Sequence, residues 1–244
     1  MAIHIKPKSR TNQYEYAILF LYHKKHDPVT WKHYALTLHH NPGVPVVPIC
    51  QNGPDELPGT VDVKDFPSKW DTDNIYYYPD TLLYRWFENR TISARKYVLA
   101  EYDVLPELPY PEFLADVWDA PVAAHKYFTY EWWPKWNWFE YDEACGNVPH
   151  YLWSYRAAIC PFGFMLLRHD ALETIVANAA PWRMFCEARI ATTCRHMGIP
   201  VSTMKNTAET VGYRQKDLRR QAVPSVYHPI KDLAATLAPV RGDV

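Results

Sequence analysis

Two carboxylates one residue apart, Glu101 and Asp103, close the apolar run in the stretch KYVLAEYDVLPE at 96–107. Side chains at i and i+2 of a strand share a face, so the pair is expected to converge while Tyr102 points away. Hard oxygen ligands at this spacing suit one divalent cation, Mn²⁺ or Mg²⁺, and leave coordination positions for the phosphates of a substrate. A third ligand is expected from VYHPIKDL near the C-terminus, where His228 offers a neutral imidazole to the metal and Lys231 an ammonium to a phosphate. The plainer alternatives are an acidic strand end capping a turn before Pro106 and a surface histidine in a C-terminal turn. The unbroken apolar run favours chemistry, because it puts the pair at the mouth of a central strand. In open parallel sheets, ligands bind beyond the carboxyl ends of the strands.

The elements that must position these groups follow from the apolar patterning. YEYAILFLY, 14–22, is a strand entering the sheet centre. WKHYALTLHHNPG spaces Trp31, Tyr34, Ala35 and Leu38 as a helix, with Thr30 as cap and Asn41-Pro42-Gly43 as stop. VPVVPIC is a short strand whose prolines place it toward the sheet margin or mark the ends of the strand. The segment 51–79 is mostly loop, with TVDV a short strand, and PDTLLYRWFENRTI is a crossover helix feeding the strand that ends at Glu101. The order β, α, β, loop, α, β implies parallel strands with right-handed crossovers. Further on, LPYPEFLADVWDAPVAAH divides into a short helix and a strand, AAICPFGFMLLRHDALETIVANA is a strand running into a helix, PWRMFCEARIATTCRHMGI is a helix ending at Gly198, and PVSTMK is a last strand. No GxGxxG follows the first strand and no Walker loop occurs, so the common phosphate cradles are absent.

The bulk composition narrows the class. The 244 residues, 48% of them hydrophobic, suffice for one substantial core. A formal net charge of -1 gives no reason to expect nucleic acid as a partner, so an anionic ligand needs a local site. Five cysteines without a CxxC pair suggest neither a disulfide framework nor structural zinc, and fit a reducing cytoplasm. The N-terminus lacks the apolar core of a signal peptide, and no run approaches the ~18 apolar residues of a transmembrane segment.

RKYVLAEYDVL at the end of a Rossmann-like half, CPFGFMLLRHDALETI in the middle and VYHPIK late in the chain resemble the nucleotide-sugar-dependent glycosyltransferases of the GT-A fold. The match runs in order from the first strand to residue 231. It implies an α/β fold: a single Rossmann-like GT-A-type domain over 1–244, with a mostly parallel central sheet flanked by helices. The donor-binding half is then about 12–107, the acceptor half about 108–231 and the tail 232–244. In that family a D-x-D-type motif ends a central strand and binds the metal-diphosphate of the donor, and a late histidine completes the coordination. The resemblance makes Asp103 and His228 metal ligands. Glu101 stands where aspartate is more usual, so it binds either the metal or the donor sugar or ribose. Tyr22, in YHKKH after the first strand, lies where the nucleotide base would stack, Lys24 or Lys25 where a phosphate would sit, and Gly163 at a turn where the sugar would approach closely. The implied activity is metal-dependent, hexosyltransferase-type transfer from a nucleotide-sugar donor to a carbohydrate or other hydroxyl acceptor. A nucleotidyltransferase or phosphohydrolase on the same carboxylates would need the Gly-rich loop that YHKKHDP lacks. A non-catalytic carbohydrate-binding protein is the alternative from another class.

Glu187 falls on the apolar stripe of Met184, Ala188 or Ala191, and Cys194, where desolvation would tune it as the base that deprotonates an acceptor hydroxyl. Pairing with Arg189 or Arg183 is its structural alternative, and Asp142 and Glu143 are rival bases. Between 127 and 141 the sequence is dense in aromatic residues without a clean period, and is expected to be a loop. Trp132, Trp133, Trp136 and Trp138 on it are either a sugar platform or lid, or filling for a satellite core. His23, His26 and His33 are read as surface histidines, because Asp27-Pro28 interrupts any helix that would gather them.

Overall fold

The computed structural model describes residues 13–23, 27–50, 57–64, 66, 79–179, 184–205, 207, 210–212, 214–215, 218–221, 223–231 and 238–239. In chain order the elements are β1 (Tyr14–Leu21), α1 (Pro28–His40), β2 (Val46–Cys50), β3 (Val61–Asp62), α2 (Asp80–Asn89), β4 (Ala94–Glu101), β5 (Leu105–Pro106), α3 (Tyr110–Phe113), β6 (Val122–Thr129), α4 (Asn137–Ala144), a 3-10 turn (His150–Tyr155), β7 (Ala157–Arg168), α5 (His169–Asn178), α6 (Cys186–His196), β8 (Val201–Thr203), β9 (Arg219–Arg220), β10 (Val226–Tyr227) and β11 (Ala238–Pro239). One seven-stranded sheet, in the order β3-β2-β1-β4-β7-β6-β8, forms the centre. Strands β3, β2, β1 and β4 run parallel, as the alternation of strands and helices implies. Strand β7 is antiparallel to both β4 and β6, and β6 is parallel to β8.

Both faces of the central strands are buried, which is why β1, β4 and β7 are near-continuous apolar runs instead of alternating ones. Tyr97 and Leu99 of β4 join one core with α2, α5 and α6, while Val98 and Ala100 join the other with Tyr110 and Leu114. Asp80 at the start of α2 and Arg189 of α6 form a buried ion pair, with Nε donating to Oδ2 at 2.7 Å.

Three local expectations are corrected. Helix α1 starts at Pro28, and Asp27, not Thr30, is its cap, accepting from the Val29 amide at 2.9 Å. Its buried stripe is Val29, Thr30, His33, Tyr34 and Thr37, while Trp31 and Leu38 are exposed. This helix lies over the turn joining β4 to β5, where His33 meets the Tyr102 carbonyl, so one buried position of the stripe is polar by need. The aromatic region is not one loop. It comprises the end of β6, a tight connection and α4, with Phe128, Trp136 and Phe139 in the core and Trp138 stacked on Phe185 at 3.9 Å between centroids.

Candidate functional site

Glu101 is the last residue of β4, at the sheet end where β1 and β4 both finish. Asp103 is not in the strand. Tyr102 still donates its amide to Leu21 O, but Val104 N returns to Glu101 O at 3.0 Å, so a tight turn brings the two carboxylates together. The expected pleat is therefore replaced by a turn, with the same convergence. His33 steadies that turn from α1: its Nδ1 donates to the Tyr102 carbonyl at 3.0 Å, leaving Nε2 buried without a hydrogen bond. Burial lowers the His33 pKa to about 4, so the ring is neutral. This buried role corrects the surface assignment.

His228 arrives through a two-stranded ribbon. Strand β10 pairs antiparallel with β5, matching Val226 to Pro106 and Tyr227 to Leu105, and Glu107 N donates to Ser225 O. Past the ribbon, His228 N donates to Thr210 O and Ile230 N to Asp103 O at 2.8 Å. The imidazole is thereby held with Nε2 at 3.3 Å from Asp103 Oδ1 and 3.9 Å from Glu101 Oε2. Lys231 joins them, its Nζ 3.6 Å from Asp103 Oδ2, with a side chain 58% exposed against 3% for Asp103.

One ligand atom from each of Glu101, Asp103 and His228 falls within a 4.8 Å span. Atoms sharing a hard divalent cation at about 2.0–2.6 Å lie no more than about 4–5 Å apart, so the three fit one ion. A second observation agrees: Asp103 Oδ1 is buried and makes no well-formed hydrogen bond, its near partner being His228 Nε2 at 3.3 Å, and a cation would satisfy it better. Burial works against the Asp103 carboxylate, but His228 and Lys231 outweigh it and hold its pKa below the usual range. For His228, burial pulls the pKa down, and the charges of Asp103 and then Glu101 more than reverse this, raising it to about 9. A proton on the ring and a metal ion are alternative ways of meeting the same negative charge.

Gly163 is in mid-strand on β7, not at a turn as expected. A Cβ there would lie 2.5 Å from Glu101 Oε2 and 2.6 Å from His228 Nε2, so only glycine leaves room for the cluster. The register of β7 explains the approach. Met165 faces Ala124 and Cys160 faces Lys126, so 161–164 bow outward against a single residue, His125. Glu187 supports the bow from α6, Oε1 accepting from Phe162 N at 2.8 Å. Burial, with a smaller contribution from Glu101, lifts its pKa to about 8. It does not pair with Arg189, which is held by Asp80.

The remaining candidates lie elsewhere. Asp142 accepts from Phe185 N at the entry to α6 and from Asn147, and burial raises its pKa to about 6. Tyr22 is only 5% exposed, packed with Phe20 and Tyr34 and bonded through its hydroxyl to Thr60 at 2.8 Å, so it is a core ring and not an open stacking face. Lys24 and Lys25 lie outside the described residues. One buried histidine had no legible signal: His125, whose Nδ1 bonds Thr207 Oγ1 at 2.6 Å and whose pKa burial lowers to about 4.

The seven-stranded, mostly parallel sheet flanked by helices has the GT-A fold of solved glycosyltransferases. Mouse xyloside xylosyltransferase 1, in its apo form, superposes with a TM-score of 0.50 at 9% identity, covering 87% of this chain and 96% of that one. The galactosyltransferase LgtC in complex with donor and acceptor sugar analogues matches at a TM-score of 0.44 and 13% identity, covering 80% of this chain and 75% of that one. The bifunctional glycosyltransferase WbbM, in its apo structure, matches at 0.48 and 12%, covering 84% and 40%. No protein-family sequence model and no curated protein matches the chain by sequence. Among the described residues, no helix is long and apolar enough to cross a membrane.

Proposed function

We propose that this chain is a metal-dependent glycosyltransferase that moves a sugar from a nucleotide diphosphate donor to a hydroxyl of a carbohydrate or other acceptor. The supporting observation is the cluster of Glu101, Asp103 and His228 at the carboxyl end of β4, with a buried Asp103 oxygen that makes no well-formed hydrogen bond. Asp103 and His228 hold Mn²⁺ or Mg²⁺, and Glu101, the most exposed of the three, holds the metal or turns to the donor sugar or ribose. When bound, such an ion offsets the charge that builds on the departing diphosphate. Lys231, exposed beside Asp103, adds a second positive charge on the same side. Residues 12–107 form the donor-binding half and 108–231 the acceptor half, with Lys24 a phosphate contact. Glu187 is the candidate base for the acceptor hydroxyl, and Asp142 holds the start of α6. Five cysteines without a CxxC pair suit a reducing compartment such as the cytoplasm.

Calorimetry with UDP as the probe tests the reading. Binding is expected to need Mn²⁺ or Mg²⁺, to fall at least ~10-fold on chelation, and to be lost in Asp103→Ala. UDP affinity indifferent to both changes would overturn it. A donor panel of UDP-xylose, UDP-galactose and UDP-glucose, scored for free UDP with sugar acceptors present, separates a transferase from a binding protein.

A further inference from the structure

Trp132 and Trp133, on the connection after β6, are 77% and 48% exposed, whereas Trp136 three residues on is buried. With Lys126, Tyr127, Phe128 and Thr203 they line a cavity of about 490 Å³. Its position follows from register. Leu99, Met165 and Ala124 stand side by side across β4, β7 and β6, and β4 and β6 run the same way because each is antiparallel to β7. Two residues further along lie Glu101 on β4 and Lys126 on β6. The cavity therefore opens toward the same end of the sheet as the acidic cluster.

The platform is held in place. Trp132 N and Trp133 N both donate to Thr129 O at 3.1 Å, Tyr130 N donates to Arg156 O, and Glu131 is clasped by two nitrogens of Arg195 at 2.9 and 3.1 Å. The Trp133 ring packs on Phe128, with centroids 5.1 Å apart. Two large apolar rings kept in water by a fixed backbone are pre-organised for a flat ligand. The electron-rich face of an indole attracts the polarised C–H face of a pyranose, and the Lys126 ammonium and the hydroxyls of Tyr127 and Thr203 meet ring hydroxyls at the wall. A membrane surface is a poorer fit, because the rings line a concavity and an acidic residue, Glu131, precedes them.

We infer that this cavity is the acceptor subsite, and that the acceptor is a saccharide whose pyranose ring stacks on Trp132 or Trp133 while its reacting hydroxyl reaches toward Gly163. The inference rests on the glycosyltransferase reading and deepens it. The test measures saturation-transfer NMR binding of xylobiose, lactose and maltose to the wild type, Trp132→Ala, Trp132→Phe and Trp133→Phe, with UDP affinity in Mn²⁺ and the melting temperature as fold controls. At least one saccharide is expected to bind the wild type, to weaken tenfold or more in Trp132→Ala and to recover largely in Trp132→Phe, and the acceptor KM in transfer assays rises in parallel. Saccharide binding unaffected by Trp132→Ala overturns the subsite, as does failure of the whole panel to bind the wild type, or loss only of phosphatidylcholine–phosphatidylglycerol vesicle binding in the variant. Metal-independent UDP binding without donor turnover would instead refute the transferase, and the saccharide titration still judges the platform by itself.

Discussion

Replacing Gly163 with alanine puts one methyl group against two of the proposed metal ligands at once, so its consequence can be worked from distances. The new Cβ would stand 2.5 Å from Glu101 Oε2 and 2.6 Å from His228 Nε2, where ordinary contact begins at 3.4 Å. Relief requires movements of about 0.9 and 0.8 Å, from 3.4 less 2.5 and 3.4 less 2.6. Glu101 can swing, because its side chain is 25% exposed; His228, 7% exposed, is held by the main-chain bonds of its neighbours. A metal site tolerates distance errors of only ~0.2 Å, so a ligand set displaced by several times that amount loses affinity, by ~10–100-fold for a supporting residue. The folding cost is smaller. Overpacking costs ~1–3 kcal/mol, of which a mobile carboxylate recovers part, and the loss of glycine's unfolded-state freedom returns ~0.4–1 kcal/mol. Gly163→Ala should thus stay folded with a modestly lowered melting temperature, while Mn²⁺-dependent UDP affinity falls at least ~10-fold. Mn²⁺ titration by electron paramagnetic resonance, beside calorimetry with UDP, reads both quantities. An alanine variant that binds Mn²⁺ and UDP within twofold of the wild type would refute the reasoning that this missing Cβ shapes the site.

Glu187→Gln should lower kcat for transfer by ~10²–10⁴-fold at unchanged UDP affinity, as expected for loss of a general base; a kcat within tenfold of wild type refutes that role. Asp80→Ala strands the buried Arg189 guanidinium, and urea unfolding should show a loss of ~3–5 kcal/mol, with a loss below 1 kcal/mol contradicting the ion-pair argument. Asp142 binds its proton more tightly folded, at about 6, than at its ordinary 3.8, so its contribution to stability is fully present below 3.8 and is lost as pH rises through 6. The ceiling is ~3 kcal/mol. Melting curves from pH 4 to 8 should be flatter for Asp142→Asn than for the wild type, and parallel profiles would show that its burial is not what sets the slope.

The parts of this molecule that were legible in the sequence are those whose neighbours are local or whose packing is wholly apolar. The runs at 14–21 and 94–101 declare central strands because both their faces are buried, and the spacing of Leu82, Leu83, Trp86 and Phe87 declares α2 because it packs on those strands. Helix α1 misleads on the same logic: its buried stripe carries Thr30, His33 and Thr37, His33 being turned to the Tyr102 carbonyl, while Trp31 faces water. The carboxylate pair stood out in the sequence because charge is out of place at the end of an apolar strand. The way the two converge was not, since the turn at 101–104 depends on where β5 must go next. His228 shows the limit most clearly. Its type suggested a ligand, but its place is fixed by a ribbon of only two paired residues on each side, β5 with β10, and by single main-chain bonds from Ile230 to Asp103 and from His228 to Thr210. Such contacts join distant segments without any periodic pattern. They bring buried polar groups together across long stretches of chain, and this is why a cluster of carboxylates and a histidine can be guessed from residue types while its cradle, Gly163 on a bowed antiparallel strand, emerges only from register.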